Sequence, residues 1–169
     1  FIKITELLTG KLKLKKLYDE YLSENRPPEL FWDDAVDKLN FTLITNFQDG
    51  SYIPKKGKLI VIANHAFGVA DGVSICSAIS KVRQDYKMVT HKVLRQAEAV
   101  KDKILPIDFN ENKEALLTNI NTRKEAEKVL HNEGVLVLFP SGTIATKQNL
   151  KKNTKADDGE WKQWVSKLV

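Results

Sequence analysis

A histidine just beyond a short apolar run, with a carboxylate six residues later, is the first place in this chain where chemistry could be done. The segment reads Asn64-His65-Ala66-Phe67-Gly68-Val69-Ala70-Asp71-Gly72. A carboxylate beside an imidazole fixes its tautomer and stabilises the imidazolium formed when the ring takes a proton, a base-plus-orienter arrangement. Their separation does not put the two side chains on one helical face. They meet only if the intervening residues turn, and Gly68 makes that turn cheap. A purely structural reading stays open: Asp71 as the N-cap of a helix beginning at Gly72, with Asn64 closing an Asx turn.

The second place is Phe139-Pro140-Ser141-Gly142-Thr143-Ile144-Ala145-Thr146. Small hydroxylated residues and a glycine at a strand exit can present backbone N–H groups to an anion. The segment does not match a P-loop, because the glycine spacing and the Gly-Lys-Ser/Thr ending are missing. Ser141 as a hydrolase nucleophile lacks the G-x-S-x-G elbow, and the Ser…Asp…His chain order of α/β-hydrolases is reversed. An ordinary strand-to-loop turn remains the structural alternative.

The elements that must hold these two segments follow from hydrophobic periodicity. Residues 11–24 read as a helix, with Leu12, Leu14, Leu17, Tyr18, Tyr21 and Leu22 in an apolar stripe among lysines. Pro27-Pro28 breaks it, and a second helix is expected over about 29–39. A short strand is expected over Phe41–Thr45, then a turn at Asp49-Gly50. Beyond it, Leu59–Ala63, Lys87–His91, Ile104–Phe109 and Val135–Phe139 read as strands. Helices over about 72–83 and 111–131 alternate with them, and Gly134 ends the second. Strands apolar on both sides, alternating with helices, imply an α/β fold. The expected architecture is a central, mostly parallel or mixed sheet flanked by helices. Residues 1–40 would be an N-terminal helical segment packed on an α/β domain spanning 41–169. In such sheets functional residues gather beyond the carboxyl ends of strands, which is where both segments lie. The lysine-rich stretch 147–160 reads as a polar, mobile loop.

Bulk properties narrow the classes. At 169 residues the chain fits one core of ordinary size. It begins at Phe1 and ends inside an amphipathic stretch, Trp161–Val169, so a fragment of a longer protein is expected. The single cysteine, Cys76, allows no intrachain disulfide and sits among Val73, Ile79 and Val82 as a core thiol; this favours a reducing compartment. The longest apolar runs, Leu59–Ala63 and Val135–Phe139, fall far short of the roughly 20 residues a membrane span needs. A net charge of +5 and a pI of about 9.2 suit an anionic membrane surface, an anionic substrate or nucleic acid. Aromatic residues do not interleave with the lysine clusters at Lys11, Lys13, Lys15 and Lys16 or at Lys147, Lys151, Lys152 and Lys155, so nucleic acid is not expected. No metal-ligand spacing is visible.

Taken together, the two segments resemble the signature blocks of the glycerolipid acyltransferases, the lysophosphatidic acid acyltransferase-like family. Its first block is Asn-His, several residues, then Asp, matched by Asn64-His65…Asp71-Gly72. Its third is Phe-Pro-Glu-Gly-Thr, matched by Phe139-Pro140-Ser141-Gly142-Thr143. The resemblance runs from Lys58 to Thr146 and has two departures. The usual first block has one residue fewer between histidine and aspartate; the longer spacing is similar to haemolysin-like acyltransferases that read Asn-His-Pro-x-Gly-x-x-Asp-Gly. Ser141 stands where the family has glutamate. The second block carries an arginine that meets the acceptor's phosphate, and Arg95 is the positional match; His91, Glu98, Asp108 and His131 match no family position.

The resemblance implies a glycerol-3-phosphate acyltransferase-like fold and an acyl thioester donor, acyl-CoA or acyl-carrier protein, acting as co-substrate with no bound cofactor. It implies a lyso-lipid acceptor and peripheral work at the cytoplasmic side of a membrane. His65 would be the general base and Asp71 its orienter. Asn64, Gly68, Arg95, Phe139, Pro140, Ser141, Gly142 and Thr143 would contribute to substrate binding, with oxyanion donors sought among N–H groups near Gly68 or Gly142. Two other functions fit the same residues: a lipid or thioester hydrolase using water, and a non-catalytic acyl-lipid-binding domain.

Overall fold

The computed structural model describes residues 11–44, 52–146 and 156–168. Four parallel strands form one sheet in the order β1-β4-β2-β3, with β1 Leu59–Ile62, β2 Tyr86–His91, β3 Ile104–Ile107 and β4 Val135–Leu138. Helix α1 is Lys11–Ser23 and α2 is Phe31–Lys38, entered through a 3-10 turn at Pro28–Leu30. Helix α3, Val69–Ser80, connects β1 to β2, and α4, Lys113–His131, connects β3 to β4.

Chain order and strand order together dictate the layers. The chain crosses the sheet in one direction from β1 to β2 and in the other from β3 to β4. Right-handed crossovers then put α3 and α4 on opposite faces. The burial of β4 fits: Val135, Leu136 and Val137 are 0% exposed and Leu138 is 1% exposed, so this strand lies in the middle with both faces covered. Alternation along it sends Val135 and Val137 to a core with Val73, Cys76, Ile79, Met88 and Trp32. Leu136 and Leu138 go to the other core, with Ala126, Leu130, Val89 and Leu105. Burying each β4 side chain is worth roughly 1.5–3 kcal/mol.

Gly134 feeds β4 through a gap with no room for a side chain. A Cβ there would lie 2.9 Å from both the Asp85 and Val129 carbonyl oxygens. Arg83, 5% exposed, ties the bottom of the sheet together by pairing with Asp85 and donating to the carbonyls of Gly57 and Glu133. On the α3 face, Trp32 Nε1–H donates to Tyr86 Oη at 2.5 Å, and Ser77 Oγ–H donates to Asp33 Oδ1 at 2.5 Å, pinning α2 to the domain. Arg26 forks onto both oxygens of Asp34 at 2.7 and 2.8 Å.

Several sequence expectations are corrected. Residues 41–44 form no strand. Phe41 and Leu43 are half-buried and Thr42 and Ile44 exposed, so the alternation is real, but these residues have no ladder partner among the described residues. Thr45 and the expected turn at Asp49-Gly50 lie outside the described residues. Helix α3 begins at Val69, three residues earlier than expected. Of the expected loop 147–160, residues 147–155 lie outside the described residues, but 156–160 are held in place: Thr146 and Asp157 form an antiparallel bridge. Pro106 sits within β3, tolerated because β3 is an edge strand.

Candidate active site

Strands β1 and β4 pair in register from Leu59↔Val135 to Ile62↔Leu138. The segments leaving their carboxyl ends must therefore emerge side by side, and His65 and Ser141 stand equally far past the last paired residues. This register, and not any nearness in sequence, joins the two motifs into one site.

His65 Nδ1 lies 3.1 Å from Asp71 Oδ2, and the same oxygen accepts the Phe67 backbone N–H at 2.8 Å. Both side chains are mostly enclosed, 20% and 15% exposed. A carboxylate at neutral pH only accepts, so the proton of a neutral imidazole sits on Nδ1 and Nε2 carries the lone pair. Asp71 does not occupy the N-cap. That position is Gly68, with φ 62° and ψ −121°, a conformation open in practice to glycine alone. Asp71 lies within the first turn and reaches back to the Phe67 N–H, just before the helix, so one oxygen braces the entry to the helix and orients the imidazole, where the helix dipole favours its charge. Asn64 is exposed and forms no Asx turn among the described residues.

The segment after β4 packs onto that pair. The Phe139 ring stacks on the His65 imidazole with centroids 4.2 Å apart and planes 26° from parallel. The Ala145 N–H donates to the His65 carbonyl at 2.6 Å. A tight turn runs from Phe139 to Gly142, closed by the Gly142 N–H on the Phe139 carbonyl at 3.0 Å, so that amide is committed and not free for an oxyanion. Pro140 and Ser141 are buried. Ser141 Oγ lies 3.0 Å from both the Thr143 carbonyl and Asp158 Oδ1, and its single proton serves one of them at a time. Ser141 therefore faces the protein, whereas Gly142 and Thr143 face an adjoining cavity.

Asp158 is the functional candidate that sequence reasoning passed over. Besides Ser141, its Oδ1 accepts the His65 backbone N–H at 3.2 Å, and its Oδ2 accepts Trp161 Nε1–H at 3.0 Å. Burial raises the Asp158 carboxyl pKa, but the hydrogen bonds from Trp161, His65 and Ser141 outweigh it and hold the pKa below the ordinary value, with the nearby His65 ring adding to the effect. Gly159 passes so close to the turn that a Cβ there would lie 3.1 Å from Thr143 Oγ1. Residues 156–168 thus form a strap across the site, fastened also by the Lys162 N–H on the Pro140 carbonyl at 3.0 Å. The one local signal was the acidic pair Asp157-Asp158 in an otherwise lysine-rich stretch.

His65 opens onto a cavity of about 830 Å³, within the range of small-molecule sites. Its apolar lining includes Val89, Ile107, Leu138 and Phe139, and its polar lining includes Arg123, Lys162 and Lys167. His91, given no role from sequence, also lines it; it stacks on Phe109 at 5.7 Å and accepts the Val93 N–H. Arg95 is exposed on the 3-10 turn Lys92–Gln96 and is not among the lining residues. Asp108 is buried and paired with Lys92, which holds its carboxyl below the usual range. Cys76 is fully buried, its thiol pushed up to about 12 by burial, which suits a core residue and not a nucleophile. Among the described residues no cluster of histidine, cysteine or carboxylate side chains could hold a metal ion.

Residues 44–159 match the family model described as Acyltransferase. Searches of curated proteins and of solved structures found no match.

Proposed function

Because the chain belongs to the acyltransferase family, its substrates are an acyl donor and an acceptor, and we propose that it moves a fatty acyl group from a thioester to the hydroxyl of a lyso-lipid. The donor is acyl-CoA or acyl-carrier protein. The acceptor is a lysophospholipid or a related lyso-lipid. The five residues between His65 and Asp71 favour the haemolysin-like branch. The observation that carries this reading is the His65–Asp71 pair at 3.1 Å on the wall of a partly apolar cavity, stacked against Phe139.

In this reaction His65 Nε2 removes the acceptor hydroxyl proton as the oxygen attacks the thioester carbonyl carbon. Asp71, on Nδ1, stabilises the imidazolium. The tetrahedral intermediate collapses, the carbon–sulfur bond breaks, and the imidazolium returns its proton to the departing thiolate. The products are an ester and a free thiol, with no acyl-enzyme required. General base catalysis contributes roughly 10²–10⁴-fold, and positioning and oxyanion donors must provide the rest. The enzyme works at the cytoplasmic face of a membrane as a peripheral protein; no described helix is long and apolar enough to cross one.

The test is a donor–acceptor screen read by mass spectrometry on wild type, His65→Ala and Asp71→Ala, with circular dichroism to verify folding. Turnover in each variant should fall by roughly 10²–10⁴-fold. Normal turnover by folded His65→Ala ends the proposal, and release of free acid without acylated acceptor replaces transfer by hydrolysis.

A further inference from the structure

We infer that a second cavity, separated by the strap from the one beside His65, binds a free long-chain carboxylate, and that its occupancy steadies the strap that positions His65. The binding stands on its own; its effect on turnover rests on the acyl-transfer reading. On the sheet face covered by α4, Ile60 and Ile62 of β1 lie beside Leu136 and Leu138 of β4. Those leucines are 0% and 1% exposed, whereas Ile62 is 45% exposed although it lies within a strand. Helix α4 packs on β2, β3 and β4, and over β1 the cover is the strap. That cover is incomplete. Trp161, Val165 and Leu168 form one wall, and the two isoleucines the other, of a cavity of about 720 Å³, the size of a small-molecule site. Lys162 and Gln163 line both cavities, so the strap is the partition between them.

The lining selects the ligand. Aliphatic side chains and an indole suit a flexible hydrocarbon chain, with each methylene removed from water favouring binding. The charged lining residues are Lys58 and Lys162, with no aspartate or glutamate, and neither lysine joins an ion pair among the described residues. Such a rim attracts a carboxylate. A thioester carbonyl carries no charge, so the free acid matches this cavity better than the donor's own chain does. Two hydrogen bonds connect the cavity to the base. Trp161 Nε1–H donates to Asp158 Oδ2 at 3.0 Å, and Asp158 Oδ1 accepts the His65 backbone N–H at 3.2 Å. The cavity has its second wall only while the strap is fastened. A ligand bound there therefore favours the fastened state, and by reciprocity a change that loosens the strap weakens the ligand.

Dodecanoate, kept below its micellar concentration, is titrated into wild type, Ile62→Glu, Lys58→Gln and Asp158→Asn with tryptophan emission as the readout. Wild type should give a saturable change. Ile62→Glu should bind roughly tenfold or more weakly, and Lys58→Gln and Asp158→Asn several-fold more weakly. Ile62 and Lys58 are both exposed, so Lys58→Gln decides should Ile62→Glu fail to fold by circular dichroism. Octanoate should bind at least about tenfold more weakly than dodecanoate, and dodecanol several-fold more weakly. No response in wild type, or an unchanged one in the folded cavity variants, overturns the site. Equal binding of dodecanol overturns the carboxylate, and unchanged affinity in folded Asp158→Asn overturns the coupling to the strap. In the acyl-transfer assay dodecanoate should raise kcat about twofold or more in wild type but not in Ile62→Glu, whose turnover without dodecanoate should stay within about twofold of wild type. A rise in the donor's KM with kcat unchanged makes the cavity a seat for the donor's own chain and overturns a separate site. The emission titration decides the site even if no acyl transfer is found.

Discussion

At the scale of single residues, the site depends on a few side chains that each make more than one contact. Asp71 joins an imidazole to a helix start, and Asp158 joins the His65 backbone to Ser141 and Trp161. Neutralising Asp158 should matter because all three of its partners are donors. In Asp158→Asn one oxygen still accepts, but the amide nitrogen facing Trp161 cannot, and the charge is lost. Losing one or two charge-assisted hydrogen bonds should lower kcat by roughly 10–100-fold with a smaller effect on KM, since Asp158 positions His65 without lining the cavity. Equal kcat in wild type and Asp158→Asn would remove it from the positioning of the base. The stability consequence has a definite sign. The folded carboxyl pKa is depressed, so its contribution is present above the unfolded value of about 3.9 and is lost as pH falls through the folded value. The melting-temperature gap between wild type and Asp158→Asn should therefore be widest near neutral pH and should close as the solution is acidified below about pH 4. A gap independent of pH would assign the effect to packing instead of charge.

At the scale of elements, two glycines separate what positions the site from what holds the fold. Gly68 adopts φ 62° so that the chain can double back from β1 into α3, which brings Asp71 under His65. Gly134 is needed for space, with two carbonyl oxygens 2.9 Å from where a Cβ would be. Alanine at either position should cost about 1–3 kcal/mol by thermal or denaturant unfolding. Well below the melting temperature, only Gly68→Ala should also lose turnover by an order of magnitude or more, because only it displaces the Asp71 carboxylate proposed to orient the base. Equal activity losses in the two would mean that the turn at Gly68 has no special part in the site. This contrast also explains what could be read in the sequence. Strand β4 and helix α4 were legible because their patterns match their periods, and Asn112 caps α4 in the ordinary way, accepting the Ala115 N–H at 2.8 Å. The start of α3 was misplaced because its N-cap is a glycine without a side-chain cap, so the nearest carboxylate looked like the helix boundary. Residues 41–44 alternate like a strand yet gain no ladder partner among the described residues, since alternation records which face is buried and not whether a ladder forms.

At the scale of the whole molecule, contacts between distant segments carry no local pattern. The motifs at His65 and Phe139 were visible, but that they share a wall depends on β1 pairing β4. Asp158, Lys162 and Lys167 reach the site only because the strap folds back over Pro140 and packs Trp164, Val165 and Leu168 on the sheet. Charge is the property that was legible at this scale, and it bears on the membrane attachment proposed above. Helix α1 carries four lysines against two acids, but its aromatic face is turned inward: Tyr21 is 4% exposed and meets Phe31 edge-on at 5.2 Å. The helix therefore cannot also lay that face into a bilayer, which leaves its exposed lysines as the attachment to test. Its pairs Lys15–Asp19 and Lys16–Glu20 are exposed and so too weak to withhold those lysines from an anionic surface. Each lysine near such a surface is worth about 1 kcal/mol. Sedimentation with vesicles should show binding when about a third of the lipid is anionic, and little to zwitterionic vesicles. Binding should weaken several-fold as salt rises from about 0.05 to about 0.5 M, as the Debye length shrinks. Replacing Lys13, Lys15 and Lys16 together with glutamine should reduce the anionic binding by about tenfold or more. Indifference to lipid charge would remove the electrostatic attachment, and retention by the triple variant would move it to another face, of which the cationic rim at Arg123, Lys162 and Lys167 is the next to test.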